Sequence, residues 1–351
     1  MNFQEQQSIR LSQHVNGEMP KLGPESVGVV LTNACNLNCI TCWSYSPLLN
    51  VKPQKEWKNQ QLPFDVTEKL IFDLVSLGTK RIILTGGGDP LVYSYFYETV
   101  ELAKKSGLKV TLISNLTLIK DFERFLSLNI DTIQANFSAA DAQSYVDFHP
   151  NRKLIDFDKL LEKLSVLASK TEDLKLVCVV CKTNYHSMAK IIELAAELKT
   201  KIQFKLMSVN DDTSAVAIND EQRVFLLNEE QNLKQLTEKN NVKTNLNVFF
   251  KTLKGENVFT FPIEDIGCFA GNWYSRIHAD GSVRFCCNPN DQLTIGSLHK
   301  NTFSEIWNND SYQKIREKLR NNNFVKGCDK CGKFDLNYKM NQLLSNEQLV
   351  K

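Results

Sequence analysis

Short apolar runs alternate with amphipathic segments along residues 27–207. Six runs rich in Val, Ile and Leu have the composition of strands that are covered on both faces. They predict strands at 27–31, 81–84, 109–113, 132–136, 174–180 and 202–206. The amphipathic segments predict helices at roughly 65–78, 93–106, 118–128, 157–169 and 186–199.

The helix signals are clearest after the first strand. The stretch "DVTE" predicts a capping box, with Asp65 as the cap and Glu68 three residues later, and Gly78 is a suitable helix end. Repeated strand–helix units imply parallel strands with right-handed crossovers. Six units predict an open, partial barrel, whose functional residues lie at the carboxyl ends of the strands.

The pattern changes beyond residue 207. Residues 219–239 predict a helix, and "KNNVKTNLN" predicts a polar loop. The stretch "YSRIHADGSVRFCC" contains two alternating runs around Asp280 and Gly281, which is a strong hairpin signal. "NTFSEIWNNDSYQKIREKLR" predicts one helix, and the final "LLSNEQLVK" predicts a frayed tail.

Composition excludes several classes of protein. The chain has 351 residues, 23% of them charged, and its net charge of +2 gives no reason to expect a nucleic acid or membrane partner. No apolar run approaches the ~20 residues of a membrane span, and the first 26 residues lack the apolar centre of a signal peptide. We therefore expect a cytoplasmic protein, in which clustered cysteines favour metal binding over disulfides.

Three cysteines follow the first predicted strand in "NACNLNCITCW". Cys35, Cys39 and Cys42 have the spacing C-x3-C-x2-C, and thiolates at such a spacing can converge on a soft metal centre. In a cubane of four irons, three thiolates leave one iron open to a small molecule, as a catalytic zinc site keeps one position open. The alternative is a set of buried or zinc-binding cysteines.

This motif, in the loop after the first strand of a partial barrel, resembles that of the radical S-adenosylmethionine (SAM) family. The resemblance implies a [4Fe-4S] cluster on Cys35, Cys39 and Cys42, with SAM chelated to the open iron. It further implies reductive cleavage of SAM to methionine and a 5'-deoxyadenosyl radical, with a flavodoxin- or ferredoxin-type protein as electron donor.

The stretch "LTGGGDP" ends the second predicted strand, where the family carries a Gly-Gly-Glu-Pro motif that binds the SAM amino group. Here Asp stands in place of Glu, and the alternative is a plain strand-to-helix turn. The resemblance also implies SAM contacts at the ends of the next three strands, where the residues equally suit helix caps. The implied SAM-binding residues are Gly86, Gly87, Gly88, Asp89, Pro90, Ser114, Asn115, Ser138 and Asn184.

A second group of cysteines lies near the carboxyl terminus. Cys268, Cys286, Cys328 and Cys331 can together saturate one metal centre, and their spacing resembles that of the SPASM domain. Because no cysteine follows Cys331, the pattern is closer to the shorter twitch form, which implies one auxiliary [4Fe-4S] cluster. A structural zinc ribbon is the alternative, and Cys287 is an alternative ligand to Cys286.

The predicted fold class is α/β, a partial (β/α)6 radical SAM barrel with a small hairpin-and-helix domain of the twitch or SPASM type. The predicted divisions are an N-terminal extension (1–26), the barrel (27–207), a helical and loop connector (208–262), the auxiliary domain (263–335) and a C-terminal tail (336–351).

Several single residues are candidates for catalysis. Cys178, Cys181 and Cys287 are candidate hydrogen-atom donors, because radical epimerases of this superfamily use a thiol in that way; the alternative is ordinary buried cysteines. An extended strand would send Cys178 and Cys181 to opposite faces. His149 is a candidate base at the barrel mouth, or a loop residue with an ordinary hydrogen bond. Lys205 and Arg152 are candidates for neutralising substrate charge.

The resemblance implies a radical SAM oxidoreductase whose auxiliary cluster accepts an electron from the substrate radical. The twitch-like pattern and the short segment before the first strand favour a small polyol or sugar as substrate. One alternative is a ribosomal peptide that is crosslinked or epimerised. Another, of a different class, is a non-catalytic zinc scaffold.

Overall fold

The computed structural model describes residues 3–256 and 262–348. Within these ranges the chain forms nine strands that belong to one sheet. The strands are β1 (Ser26–Val30), β2 (Arg81–Thr85), β3 (Lys109–Ser114), β4 (Thr132–Asn136), β5 (Leu174–Val180), β6 (Lys201–Leu206), β7 (Tyr274–Ile277), β8 (Ser282–Arg284) and β9 (Thr294–Ser297).

The same ranges contain fifteen α-helices. They are α1 (Phe3–Asn16), α2 (Lys55–Lys58), α3 (Phe64–Ser76), α4 (Phe96–Lys105), α5 (Phe122–Ser127), α6 (Ala142–Phe148), α7 (Ile155–Lys170), α8 (Met188–Glu197), α9 (Asp220–Lys239), α10 (Leu246–Leu253), α11 (Ile263–Ile266), α12 (Ala270–Trp273), α13 (Phe303–Trp307), α14 (Asp310–Arg320) and α15 (Phe334–Gln348). None of these helices is long and apolar enough to cross a membrane.

The strand order is β6-β5-β4-β3-β2-β1-β7-β8-β9, and β1 to β6 are all parallel. This confirms the predicted partial barrel, and the six predicted strands agree with β1 to β6 to within one residue at each end. The predicted hairpin is formed by β7 and β8. The sequence did not predict that β7 pairs in parallel with β1, so the C-terminal hairpin continues the barrel sheet.

The two faces of the sheet differ in polarity. Residues opposite each other on neighbouring strands point to the same side, and the row that includes Val27 and Ile82 packs against the helices in the main core. The next row along, with Arg276, Gly28 and Ile83, points to the other side, which we call the inner face. The inner face carries polar residues such as Thr111, Thr132 and Gln134 beside apolar ones. We call the space on this side of the partial barrel the chamber.

Local capping corrects three predicted helix boundaries. Helix α3 begins at Phe64 after Pro63, so the capping box predicted at Asp65 does not form. Asp121 accepts a hydrogen bond from the Arg124 amide and delays the start of α5. The helix predicted over 301–320 is two helices, because the Asn309 side chain caps α14.

Two segments at the chain termini, for which no helix was predicted, are helical. The polar N-terminal extension contains α1, which is held because the buried Arg10 guanidinium donates to the Gly23 carbonyl at 3.0 Å. Leu11 on α1 packs against Trp273 and Met340. The predicted frayed tail is helical as far as Gln348, and its last three residues lie outside the described residues. The loop predicted at 239–247 is shorter, because α10 begins at Leu246.

Candidate functional site

Three half-buried thiols, Cys35, Cys39 and Cys42, lie on the loop that follows β1. Each of the other two thiols raises the pKa of Cys39 through its charge, so the three sulfur atoms are close neighbours. Backbone amides point at them: the Leu37 amide is 3.5 Å from the Cys35 Sγ, and the Tyr45 amide is 3.3 Å from the Cys42 Sγ. Amide donors to sulfur are a means by which proteins tune iron–sulfur clusters.

Burial makes these thiols poor acids without a metal. It raises the pKa of Cys35 to about 11 and that of Cys39 further still. A coordinating thiol is deprotonated by its metal, so a bound centre would supply the positive charge that this loop lacks. The soft donors and their amide partners therefore fit an iron–sulfur cluster.

The glycine turn after β2 packs directly on the cysteine loop. The Gly88 amide donates to the Thr32 carbonyl at 3.2 Å, and the Asp89 amide donates to the Ala34 carbonyl at 2.9 Å. A Cβ atom at Gly88 would collide with the Ala34 carbonyl, so this position requires glycine. The turn thus holds the loop one residue before Cys35.

The Asp89 side chain links the ends of β2 and β3. Its carboxylate accepts hydrogen bonds from the Leu91 amide at 2.9 Å, the Asn115 amide at 2.8 Å and the Ser114 hydroxyl at 3.0 Å. Burial raises the pKa of Asp89, and these donors oppose that rise. The shorter acid therefore has a positioning role in this chain.

Asn115 connects the end of β3 to the cysteine loop. Its amide donates to the Asn36 side chain at 3.1 Å, and Asn36 in turn donates to the Thr117 hydroxyl at 2.7 Å. The Arg152 guanidinium donates to the Asn36 carbonyl at 2.8 Å, from the loop between α6 and α7. Contacts from two separate loops therefore position the residue after Cys35.

Ser138 and Asn184 lie together where β4 and β5 end. The Ser138 hydroxyl accepts from the Val179 amide at 3.0 Å. The Asn184 side chain donates to the Ser138 carbonyl at 2.8 Å and the Val179 carbonyl at 2.9 Å, and it accepts from the Cys181 amide at 2.9 Å. Asn184 is thus occupied in holding two strand ends together.

The two cysteines of β5 and its following loop point to opposite faces. Cys178 is fully buried in the main core behind the sheet, away from the chamber. Cys181 belongs instead to a small apolar cluster with Ile40 and Met207, against which Cys39 packs. Cys181 is therefore the thiol of this pair that lies beside the first cysteine group.

His149 is buried at the end of α6, close to the cysteine loop. Its Nδ1 lies 2.9 Å from the Tyr145 carbonyl, and its ring packs against Phe148. Burial lowers the pKa of His149 to about 4, so the ring is neutral at physiological pH. The contacts are those of a packed, hydrogen-bonded histidine.

The second cysteine group forms a cavity between α14 and the start of α15. Its lining includes the four predicted ligands together with Cys287: Cys268, Cys286, Cys287, Cys328 and Cys331. Side-chain amides face two of the sulfurs. The Asn288 Nδ2 is 3.7 Å from the Cys328 Sγ, and the Asn337 Nδ2 is 3.5 Å from the Cys331 Sγ. All ten cysteines of the chain are free thiols.

The surroundings of Cys286 and Cys287 differ. The charges of Cys286, Cys328 and Cys331 all raise the pKa of Cys268, so these four thiols form one group. Cys287 lies at the edge of the cavity, beside Gly332 and Lys333. The charge of Cys287 also acts on Cys286 and Cys331, so Cys286 as the ligand stays a prediction.

In the part of the chain that the structure describes, no group of three or more His, Cys, Asp or Glu side chains is arranged to hold a single metal ion. A zinc ion would need four ligands about 2.0–2.3 Å from one point. The sulfur ligands of a cubane lie further apart, because each thiolate binds a different iron.

Sequence reasoning missed the asparagines that support the thiols, Asn36, Asn288 and Asn337. It also missed Arg276 on the inner face of β7. The asparagines gave no signal, because asparagine is common in ordinary loops.

Comparisons with known proteins agree with this geometry. Residues 29–195 match the family model described as the radical SAM superfamily, and residues 268–332 match SPASM, an iron–sulfur cluster-binding domain. An AdoMet-dependent heme synthase of Methanosarcina barkeri is 25% identical over 88% of this chain and 88% of its own length.

Two further proteins are similar over part or most of the chain. The sporulation killing factor maturation protein SkfB of Bacillus subtilis is 26% identical over 52% of this chain and 42% of its own. The crystal structure of Streptococcus suis SuiB bound to precursor peptide SuiA has a TM-score of 0.61 and 17% identity, covering 89% of this chain and 70% of that one. This last likeness concerns the fold.

Proposed function

We propose that this chain, a radical SAM enzyme with a C-terminal SPASM domain, oxidatively modifies a ribosomally made peptide, for example by forming a crosslink. The observation that carries the proposal is the placement of two cysteine groups on one continuous sheet. The first follows β1, and the second flanks the hairpin of β7 and β8, which continues the same sheet next to β1.

The first group supplies the site for SAM. Cys35, Cys39 and Cys42 would hold the cluster, and the turn Gly86–Pro90 would present backbone groups to SAM. When bound, SAM and its cluster supply a 5'-deoxyadenosyl radical that takes a hydrogen atom from the substrate. Asp89 and Asn184 keep the strand ends around that site in place through their hydrogen bonds.

The second group gives the reason for an oxidation. A substrate that has lost a hydrogen atom to the 5'-deoxyadenosyl radical becomes an oxidised product only if it also loses one electron and one proton. A centre closed by Cys268, Cys286, Cys328 and Cys331, next to the chamber, is placed to take that electron and pass it to an external acceptor.

Two points support a peptide as substrate. SkfB is a maturation protein, and the SuiB structure contains a precursor peptide. The sheet is also open, because its end strands β6 and β9 do not pair with each other, although residues 243–245 bond to part of the edge of β6. We infer that a chain segment can enter on the open side.

The heme synthase match over 88% of the chain supports a second candidate, oxidation of a small molecule. The polyol or sugar substrate that the sequence favours belongs to this class. Polar side chains on the inner face, such as Gln134 and Gln203, would serve such a substrate as well as a peptide.

The test is an anaerobic reaction with reductant, SAM and peptides encoded beside the gene, followed by mass spectrometry. We expect 5'-deoxyadenosine and a peptide that has lost two hydrogen atoms, with neither product from Cys39→Ala. Incorporation of one deuterium from heavy water without net loss would indicate epimerisation. Turnover of a polyol panel but of no peptide would contradict the proposal.

A further inference from the structure

The seven parallel strands β1 to β7 carry basic residues and no acidic residue. Register places all the basic residues on the inner face. One row runs from Arg276 through Gly28, Ile83 and Thr111 to Thr132. Each basic residue stands in this row or in a parallel row of the same face. The basic residues are Arg81, Lys109, Lys175, Lys201, Lys205 and Arg276.

Contacts within the chain account for three of these cations. The Lys201 ammonium pairs with Asp173 at 2.7 Å, and the Arg81 guanidinium donates to the Thr111 hydroxyl at 2.6 Å. Lys109 is exposed at the start of β3. These groups lie at the amino ends of the strands, below the chamber.

The other three, Lys175, Lys205 and Arg276, have no ion pair within residues 3–256 and 262–348. Lys175 stands opposite Gln134 and Lys201, and its charge acts on Asp173, whereas Lys205 is exposed opposite Val179. This excess of positive charge on the inner face is an arrangement that an anion would stabilise.

Arg276 is the most constrained of the three. Its Nε is buried and has no hydrogen-bond partner among the described residues. Tyr274, two residues before it, extends over Gly28, where a Cβ atom would collide with the Tyr274 hydroxyl. A buried guanidinium nitrogen without an acceptor is costly, so the position indicates a ligand that supplies one.

The neighbours of Arg276 add to its positive charge. The Lys333 ammonium lies 3.6 Å from the centre of the Tyr274 ring, close enough to Arg276 for their charges to repel. Lys333 also faces the thiols of Cys286 and Cys287, which can offset its charge when deprotonated. On the antiparallel strand, Arg284 stands opposite Arg276, but it has its own partner in Asp291 at 3.3 Å.

We propose that Arg276 binds a carboxylate of the substrate on the inner face of the sheet, so that the enzyme selects an acidic substrate. The inference rests on the proposed function, because the acid that binds is the molecule that is oxidised. An arginine fork suits a carboxylate because it can donate two parallel hydrogen bonds. The carboxylate can belong to an acidic residue of a peptide or to a small organic acid.

Binding of acidic probes to the complete, cluster-loaded chain tests the proposal. The probes are a capped triglutamate peptide and propane-1,2,3-tricarboxylate, with a capped triglutamine peptide as the neutral match. Saturating SAM is present throughout, so that a carboxylate does not bind the open iron. We expect at least one acidic probe to bind roughly tenfold more tightly than triglutamine. Preference for the peptide or for the tricarboxylate identifies the source of the carboxylate.

Variants locate the binding site. Arg276→Gln should weaken acidic-probe binding about tenfold, whereas Arg276→Lys should retain most of it because the charge remains. Lys69→Gln, on the exposed surface of α3, is the matched control and should bind like the unaltered chain. Iron content reports whether each variant has folded.

Equal affinity for the neutral and acidic peptides, or an Arg276→Gln variant that loads iron and binds acids normally, would overturn the proposal. Measuring 5'-deoxyadenosine in the same preparations separates a failure of the carboxylate site from a failure of the proposed function. A chain that splits SAM but shows no acid preference refutes only the carboxylate site. A chain that prefers acids but never splits SAM refutes the proposed function.

Discussion

The two cysteine groups differ in how the chain surrounds them. Around the first group, three thiols on one loop meet backbone amides and the glycine turn, and the loop faces the open chamber. Around the second, five thiols from separate segments line an enclosed cavity, and the side chains of Asn288 and Asn337 face the sulfurs. The first arrangement leaves room for a small molecule at the metal, and the second saturates it.

The strongest test of this contrast removes a ligand from the first group. Cys39→Ala should reduce 5'-deoxyadenosine formation below detection, because Cys39 is one of only three thiols for that cluster. Quantifying 5'-deoxyadenosine after anaerobic reduction checks this. Cys178→Ala is the matched control, since that thiol lies behind the sheet, and it should still form 5'-deoxyadenosine. Equal loss in both variants would contradict the assignment.

A pair of adjacent substitutions sharpens the description of the second group. Cys286→Ala should lower the iron content from about eight to about four per chain and abolish product formation, because it removes a ligand of the auxiliary cluster. Cys287→Ala should keep about eight irons. Iron analysis and product assays measure the pair. The reverse result would make Cys287 the ligand.

Asp89 tests how far the first group depends on positioning. The Asp89 carboxylate accepts three hydrogen bonds. In Asp89→Asn, the NH2 group of the new side chain must point at one of these three donors. We expect about 2–3 kcal/mol of lost stability and a KM for SAM raised several-fold, measured by denaturation and by initial rates. Asp121→Asn, at an exposed cap of α5, is the control and should lose about 1 kcal/mol or less. Equal effects would reduce Asp89 to an ordinary cap.

Buried histidines near the two cysteine groups predict that acid lowers the stability of the fold around both groups. Burial lowers the pKa of His149, near the first group, and of His14, which packs on Phe269, to about 4. The folded chain holds these rings neutral, whereas the unfolded chain binds protons below about pH 6.5. Their contribution to stability is therefore complete above that pH and falls as the pH drops towards 4, by roughly 1.4 kcal/mol per pH unit for each ring.

Thermal unfolding of the loaded chain between about pH 7.5 and 5 measures this effect. His149→Gln should flatten the pH dependence without abolishing it, because one of the rings whose pKa burial lowers to about 4, which also include His278, no longer takes up a proton on unfolding. His186→Gln, at a histidine on the loop before α8, should leave the slope as it is. A slope that is the same in all three proteins would show that these rings do not control acid stability.

Sequence alone determined the elements that depend on neighbours along the chain. Alternation of apolar runs predicted β1 to β6, cysteine spacing predicted two groups of ligands, and the Asp-Gly pair predicted the hairpin. Each of these signals lies within a short window, since strand composition, turn chemistry and ligand spacing are local properties.

Only the tertiary structure decided what surrounds those elements. The pairing of β7 with β1 joins residues far apart in sequence and thereby brings the hairpin that carries Arg276 and leads to Cys286 next to the strand that precedes the first cysteine group. In the same way, Asn36 reaches Asn115, and Asn288 reaches Cys328, from distant segments. These contacts depend on sheet register and on the packing of separate loops, and the pattern of residues along one segment does not specify them.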